Sequence, residues 1–174
     1  MKIPTRHTIE RRLNAAKAVF LVNDSELLHR SPSHGSMSER AMTHKFAEAM
    51  QNVFRNWHVD CEYNRDGTIP KRIVDLPKMP GKTVLPDIIV HKRNPFGRQN
   101  ENLDKNLLVI EAKPSDAKAK SKAYDKLKLH RYITGGLRYK YGVLLTFVIG
   151  DEPEVEFEIY TPQHPPYLQA TTIS

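Results

Sequence analysis

The chain has 174 residues and a formal net charge of +7, with 39% hydrophobic and 27% charged residues. This length suits one domain with a sizeable core, and the composition excludes a disordered or fibrous chain. No stretch is apolar and long enough to cross a bilayer, and the amino terminus lacks the apolar core of a secretory signal. We therefore expect a cytoplasmic protein with no membrane contact, in keeping with a single cysteine, Cys61, that cannot form an internal disulfide.

Two amphipathic helices are predicted near the start of the chain. From Thr8 to Phe20, apolar residues recur with the helical period, at Ile9, Leu13, Ala16 and Phe20. A polar segment, HRSPSHGS, reads as a loop because it contains Pro32 and Gly35 among small polar residues. The second helix lies within SMSERAMTHKFAEAMQNVF and has one apolar face, formed by Met42, Phe46, Ala49, Met50 and Val53.

Five strands and a third helix are predicted in the rest of the chain. WHVDCEYNRDG predicts a strand that ends in a turn, and a proline-containing loop over residues 68–83 follows. VLPDIIVHKR and NLLVIEAK are the next two strands, and a helix then runs from Ser115 to about Thr134, where two glycines stop it. YGVLLTFVIG predicts a buried strand, and EVEFEIY alternates apolar residues with a solvated acidic face. This order predicts an α/β fold in which helices cover a sheet.

The positive charge is concentrated in one segment. Residues 113–140 contain nine Lys or Arg against two Asp, a surplus equal to the whole net charge of the chain. Phosphates attract such a segment because their neutralisation releases condensed counterions. A solvated helix face rich in lysine explains the same pattern, so charge alone does not decide between the two interpretations.

The strand NLLVIEAK ends in two charged residues. Because side chains alternate between the faces of a strand, Glu111 and Lys113 are expected on one side, together with Leu107 and Val109. Asp87 begins the preceding strand, directly after Pro86. If the two strands pair, Asp87 and Glu111 form a pair of carboxylates beside a lysine.

This set of groups is typical of phosphodiester hydrolysis. Mg²⁺ prefers oxygen ligands and is commonly held by one or two carboxylates, several waters and a substrate phosphate. A neighbouring lysine can help to deprotonate the attacking water or stabilise charge on the phosphate. The alternative is a structural ion pair between Glu111 and Lys113 at a strand end.

The tripeptide Glu-Ala-Lys is weak evidence by itself, because the pattern recurs as Asp116-Ala117-Lys118. We interpret the second copy as the start of a helix, where the helix dipole favours an acidic residue. Glu111 has no such explanation, which favours a functional role for the first copy.

Pro86-Asp87, followed by Glu111-Ala112-Lys113 at the end of the next apolar strand, resembles the signature of the PD-(D/E)xK nuclease superfamily. The resemblance implies a restriction-endonuclease-like core (α-β-β-β-α-β) with a mixed central sheet flanked by helices. An additional amino-terminal helix and a carboxy-terminal strand would accompany it. We expect a single nuclease-like domain over residues 1–174, with a helical extension (1–35), a core (36–161) and a tail (162–174).

The resemblance also implies roles for individual residues. Asp87, Glu111 and the backbone carbonyl of Ala112 would hold Mg²⁺, with Mn²⁺ as a substitute, and Lys113 would orient or activate water. Some members, including archaeal-type Holliday junction resolvases, carry a Glu-Arg motif near the start of the first core helix. Glu39 and Arg40 are similar to that motif, and Glu39 would then support the metal.

Glu39 also has a structural explanation, because Ser36 lies three residues before it and the two could form a capping box. Its position in the apolar stripe of the second helix favours a side chain that faces the sheet. On the third helix, Lys118, Lys122 and Lys126 are the predicted nucleic-acid contacts, within a run of lysines from 118 to 128 that would hold the phosphate backbone.

We therefore expect a metal-dependent DNA endonuclease that binds the DNA backbone through a basic helix and reads few bases. RNA as the substrate is not excluded, and a non-catalytic nucleic-acid-binding or assembly subunit with the same fold is the main alternative. Paired cuts in two strands would need a second site, which a homodimer would supply.

Overall fold

The computed structural model describes residues 3–29, 38–63, 65–66, 69–70, 85–93 and 105–166. Its helices are α1 (Arg6–Asp24), a short 3-10 helix (Ser25–Leu28), α2 (Glu39–Val53) and α3 (Ala119–Thr134). Its strands are β1 (His58–Cys61), β2 (Arg65–Asp66), β3 (Ile69–Pro70), β4 (Ile88–His91), β5 (Asn106–Pro114), β6 (Tyr141–Val148) and β7 (Glu154–Tyr160). None of these helices combines the length and apolar character needed to span a membrane.

Five of the strands form one mixed sheet in the order β1-β4-β5-β6-β7, and β2 and β3 form a separate two-stranded pair. β5 lies at the centre, antiparallel to β4 and parallel to β6. The two outer pairs, β1 with β4 and β6 with β7, are antiparallel. The predicted α/β class, with a mixed sheet flanked by helices, is confirmed.

Helices α1 and α2 cover one face of the sheet. The four residues predicted for the α1 stripe, Ile9, Leu13, Ala16 and Phe20, are all fully buried. Four of the five predicted for α2 are buried, and Val53 packs at the edge of the same cluster. The prediction succeeded because each helix has its sheet on one side only, so burial follows the helical period.

Helix α3 covers the opposite face. Leu129, Tyr132 and Ile133 pack against Ile89 and Val109 of the sheet. Helix α3 approaches the sheet closely at Gly142 of β6, where an added Cβ atom would lie 3.2 Å from Cγ2 of Ile133. The absence of a side chain at this position therefore lets α3 lie directly on the sheet.

We expect Gly142→Val to destabilise the protein by about 1–3 kcal/mol, because overpacking forces neighbouring side chains and backbone to shift. Chemical denaturation would measure the change in the free energy of unfolding. Gly136→Val is the matched control, since an added Cβ atom meets nothing within 4 Å there. Equal stability of the two variants would contradict the close packing of α3 on β6.

The start of the third helix was predicted wrongly. It begins at Ala119 rather than Ser115, because β5 continues to Pro114 and the Ser115 N–H still donates to the Phe147 carbonyl oxygen at 2.7 Å. Asp116 lies in the turn before α3 and not in its first turn, so our helix-dipole explanation for Asp116 is wrong.

Several predicted segments lie wholly or mainly outside the described residues. The loop over residues 68–83 is described only at 69–70, and the tail over 162–174 only as far as 166. The loop at HRSPSHGS is described at His29 alone, so the proposed capping residue Ser36 is outside it.

Candidate active site

The structure brings Asp87 and Glu111 together at one end of the central sheet. The antiparallel register of β4 and β5 pairs Ile88 with Ile110, which places Asp87 opposite Glu111. The Asp87 carboxylate accepts a hydrogen bond from the Ala112 N–H at 2.7 Å. The predicted pairing of the two strands is confirmed, and the carboxylate of Asp87 is fixed against the backbone of the Glu-Ala-Lys segment.

Lys113 lies at the end of β5, where it contacts residues from both helical layers. Its Nζ atom donates to Glu39 Oε1 of α2 at 2.7 Å and to the Ala112 carbonyl oxygen at 3.0 Å. The same atom lies 3.6 Å from Oδ2 of Asp125 on α3. Glu39 therefore faces the sheet, as its place in the apolar stripe predicted, and in this structure its carboxylate contacts the lysine.

Glu111 is fully buried and pairs with a lysine of α3. Lys128 Nζ donates to Glu111 Oε2, and it also lies 2.8 Å from Oδ1 of Asp125, three residues earlier on the same helix. Asp125 is itself buried. The site thus contains four carboxylates and two ammonium groups, drawn from α2, from the start of β4, from β5 and from α3.

Burial sets the electrostatics of the site. It raises the pKa of Glu111 well above its ordinary value, and the charges of Asp87 and Asp125 raise this pKa further against the opposing effect of Lys128. Burial also raises the pKa of Asp87, although the hydrogen bond from Ala112 opposes this. Glu111 and Asp87 therefore hold protons more tightly than exposed carboxylates do.

Both lysines keep their protons. Burial alone would lower the pKa of Lys113, but its bond to Glu39 and the charge of Asp125 outweigh this effect and the pKa is raised. The pKa of Lys128 is likewise raised, because Glu111 and Asp125 outweigh its burial. The neighbouring carboxylates therefore favour the charged forms of both lysines.

Two buried carboxylate oxygens of this cluster, Glu111 Oε1 and Asp125 Oδ2, have no hydrogen-bond partner among the described residues. A buried polar atom without a partner is costly and calls for an explanation, such as a bound ion or water. Within the described part of the chain, no group of three or more His, Cys, Asp or Glu side chains is arranged to hold a metal ion by itself.

The predicted nucleic-acid lysines lie on α3. Lys118 is exposed just before the helix, Lys122 donates to the Ser115 carbonyl oxygen at 2.9 Å, and Lys126 forms an ion pair with Glu158 of β7 at 3.1 Å. Exposed ion pairs contribute little stability, so Lys126 can exchange Glu158 for a phosphate. Lys128, which we had included among the backbone contacts, is turned inward and contacts Glu111 and Asp125.

Our sequence interpretation also missed Asp125, which it treated only as one charge among many. A signal was present, because Asp125, Lys128, Leu129 and Tyr132 follow one another at positions i, i+3, i+4 and i+7 of α3. A charged pair in phase with the apolar stripe of a helix faces the core. The many lysines on the other faces of α3 made this spacing difficult to recognise in the sequence.

The two histidines nearest the site in sequence do not reach it. His44 is exposed on α2 and lies 3.2 Å from Glu48, one turn along the helix. His91 is buried at the far end of β4, where its Nε2 atom lies 2.7 Å from Oδ2 of Asp60 and Arg93 also binds Asp60. His44 therefore has a surface contact, and His91 has packing contacts away from the candidate site.

No known protein family, curated protein or solved structure matches this chain.

Proposed function

We propose that the protein is a metal-dependent DNA endonuclease. One observation carries the proposal: Asp87 at the start of β4 and Glu111 at the end of β5 face each other, and Lys113 follows two residues later. These three groups come from two strands that are separated in sequence, yet they meet at one end of the sheet. An arrangement of two acids and a lysine at a strand end suits the hydrolysis of a phosphodiester.

The element order supports a restriction-endonuclease-like core. Helix α2, the strands β1, β4 and β5, helix α3 and strand β6 follow one another as helix, three strands, helix and strand. The β2–β3 pair is a short insertion between the first two of these strands. Helix α1 and strand β7 would be additions to that core.

The residues present fit a divalent cation. Mg²⁺ is commonly held by one or two carboxylates and keeps several waters, so a site without three protein ligands is sufficient. Asp87, Glu111 and the Ala112 carbonyl oxygen would hold it, and Glu39 would support them. The unpartnered buried oxygen of Glu111 supports this assignment, because a cation would satisfy it.

When bound, the metal ion would supply a polarised phosphate and a water of lowered pKa. Residues of the chain would position the attacking water and the phosphate. Lys113, held by Glu39, carries a permanent positive charge that can orient the attacking water or stabilise the phosphate in the transition state. Lys118, Lys122 and Lys126 would bind neighbouring phosphates, and Mn²⁺ would substitute for Mg²⁺.

The test is a cleavage assay with the full chain. Linear, supercoiled and branched DNA, and a structured RNA, are incubated with Mg²⁺ or Mn²⁺, and each is repeated with a chelator. We expect metal-dependent cutting of at least one DNA, and binding that weakens steeply with salt. Cutting of RNA alone would change the substrate class, and cutting in the presence of chelator would contradict a metal-dependent mechanism.

A non-catalytic subunit with the same fold is the second candidate. It is favoured by one observation, namely that lysines contact both Glu111 and the Ala112 carbonyl oxygen in this structure. A parent protein that binds DNA but cuts no substrate with either metal would support this candidate and overturn the endonuclease proposal.

The stabilising effect of the metal is expected to increase with pH. Folding raises the pKa of Glu111, so the neutral form of this side chain stabilises the metal-free folded protein. This stabilisation is lost as pH rises through the pKa that Glu111 has in the folded state. A cation competes with that proton and so binds best above the same pKa. Melting temperatures with and without Mn²⁺, from about pH 5 to about pH 9, would measure the effect.

Glu111→Gln is the control for this pH series, since it removes the titrating group and should flatten the dependence. A metal-induced rise in melting temperature that is constant or that falls with pH in the parent protein would contradict this prediction.

A further inference from the structure

Lysine ammonium groups contact two of the oxygens that are proposed to hold the metal. Lys128 binds Glu111, and Lys113 binds the Ala112 carbonyl oxygen at 3.0 Å. A cation and an ammonium group compete for such an oxygen, because each satisfies the same negative charge. A cation on either oxygen of Glu111 would also lie close to the Lys128 ammonium group and repel it, because like charges at short range destabilise each other. We therefore expect metal binding to rearrange at least one of these contacts.

When all of its carboxylates are ionised, the cluster keeps a net negative charge that the two lysines do not neutralise. Glu39, Asp87, Glu111 and Asp125 contribute four negative charges when ionised, and Lys113 and Lys128 contribute two positive charges. One divalent cation would neutralise the remaining two charges. Oε1 of Glu111, which has no hydrogen-bond partner among the described residues, lies within this cluster and is available to a new contact.

Lys128 contacts Glu111 directly and can leave it without losing all compensation. Its Nζ atom already lies 2.8 Å from Oδ1 of Asp125, so it remains paired when it leaves Glu111. Its side chain retains 17% exposure, and its four-carbon stem is flexible. Glu111, in contrast, has no exposure and cannot turn towards solvent.

We propose that a divalent metal ion displaces the ammonium group of Lys128 from Glu111. Asp125 then keeps the displaced lysine in the site. This inference rests on the proposed function, and it assigns positioning roles to two residues of α3. Lys128 holds the buried Glu111 in place before the metal binds, and Asp125 compensates Lys128 afterwards.

The test measures metal affinity and stability rather than cleavage. Titration calorimetry with Mn²⁺ and thermal unfolding with and without Mn²⁺ are carried out on the full chain, as parent, Lys128→Met and Asp125→Asn. Removing a competing positive charge should tighten Mn²⁺ binding by Lys128→Met at least about tenfold. Removing a negative charge should weaken binding by Asp125→Asn by a similar factor.

Lys128→Met should also melt at a lower temperature than the parent without metal and gain more from added Mn²⁺, since Glu111 loses its partner. Lys45→Met is the matched control, because Lys45 is paired with Glu48 on the exposed side of α2, and it should leave the affinity for Mn²⁺ unchanged.

The inference expects Lys128→Met to tighten Mn²⁺ binding and Asp125→Asn to weaken it. If the two residues had a merely structural role, both variants would weaken Mn²⁺ binding. If Lys128→Met does not fold without metal, refolding on addition of Mn²⁺ supports the inference, and the weaker binding of Asp125→Asn must still be observed. If the affinities of the two variants for Mn²⁺ are unchanged, or shift in the same direction, the inference is overturned but the proposed function is not. Failure of the parent to bind Mn²⁺ at all overturns the proposed function.

Discussion

Lys113→Met is expected to lower the rate of DNA cleavage by about 10²–10³-fold, the range for loss of one positioned donor that stabilises charge in the transition state. The substitution keeps the aliphatic stem and removes the ammonium group that contacts Glu39 and the Ala112 carbonyl oxygen. DNA binding should change little, because the phosphate contacts are proposed on α3. Single-turnover cleavage, measured beside DNA binding and thermal unfolding, would distinguish lost chemistry from lost folding.

Lys45→Met is the control for this experiment as well, since it removes a lysine from the exposed side of α2. A Lys113→Met protein that cuts DNA as fast as the parent would show that the lysine has no role in catalysis. The Glu39–Lys113 ion pair would then be structural.

Phe20→Ala is expected to destabilise the protein by about 3–5 kcal/mol, the usual cost of removing a buried aromatic ring. The Phe20 ring is fully buried, with its centroid 5.8 Å from that of Phe46 on α2 and 5.7 Å from that of Phe147 on β6. It therefore connects α1 to both the second helix and the sheet. The melting temperature should fall by about 6–20 °C for a chain of this size.

Val22→Ala provides the comparison, because Val22 lies on the same helix and is 83% exposed. Its stability should stay close to that of the parent, within about 0.5 kcal/mol. If Phe20→Ala were no less stable than Val22→Ala, α1 would not be part of the cooperative core, and its packing on α2 would need another explanation.

Much of the fold could be predicted because simple periodicities decide it. The stripe from Ile9 to Phe20 repeats with the helical period, and the face alternation of β4 and β5 predicted that Asp87 and Glu111 could meet. These inferences need only the geometry of one element, or of two neighbouring strands.

The contacts between α3 and the site could not be predicted in the same way. They depend on how closely α3 approaches the sheet, and that approach depends on Gly142 of β6, which has no side chain to signal it. Asp125 and Lys128 also have the i, i+3 spacing of an ordinary exposed ion pair. Only the tertiary packing shows that both are turned towards Glu111.

The ion pair between Glu39 and Lys113 joins residues 74 positions apart in the sequence. Contacts of such long range form late in folding, since a long loop must close before they contribute any stability. Lys113 therefore gains its contact with Glu39 only after α2 has docked on the sheet. A nascent or partly unfolded chain would lack this contact, so the proposed hydrolytic activity would be confined to the completed fold.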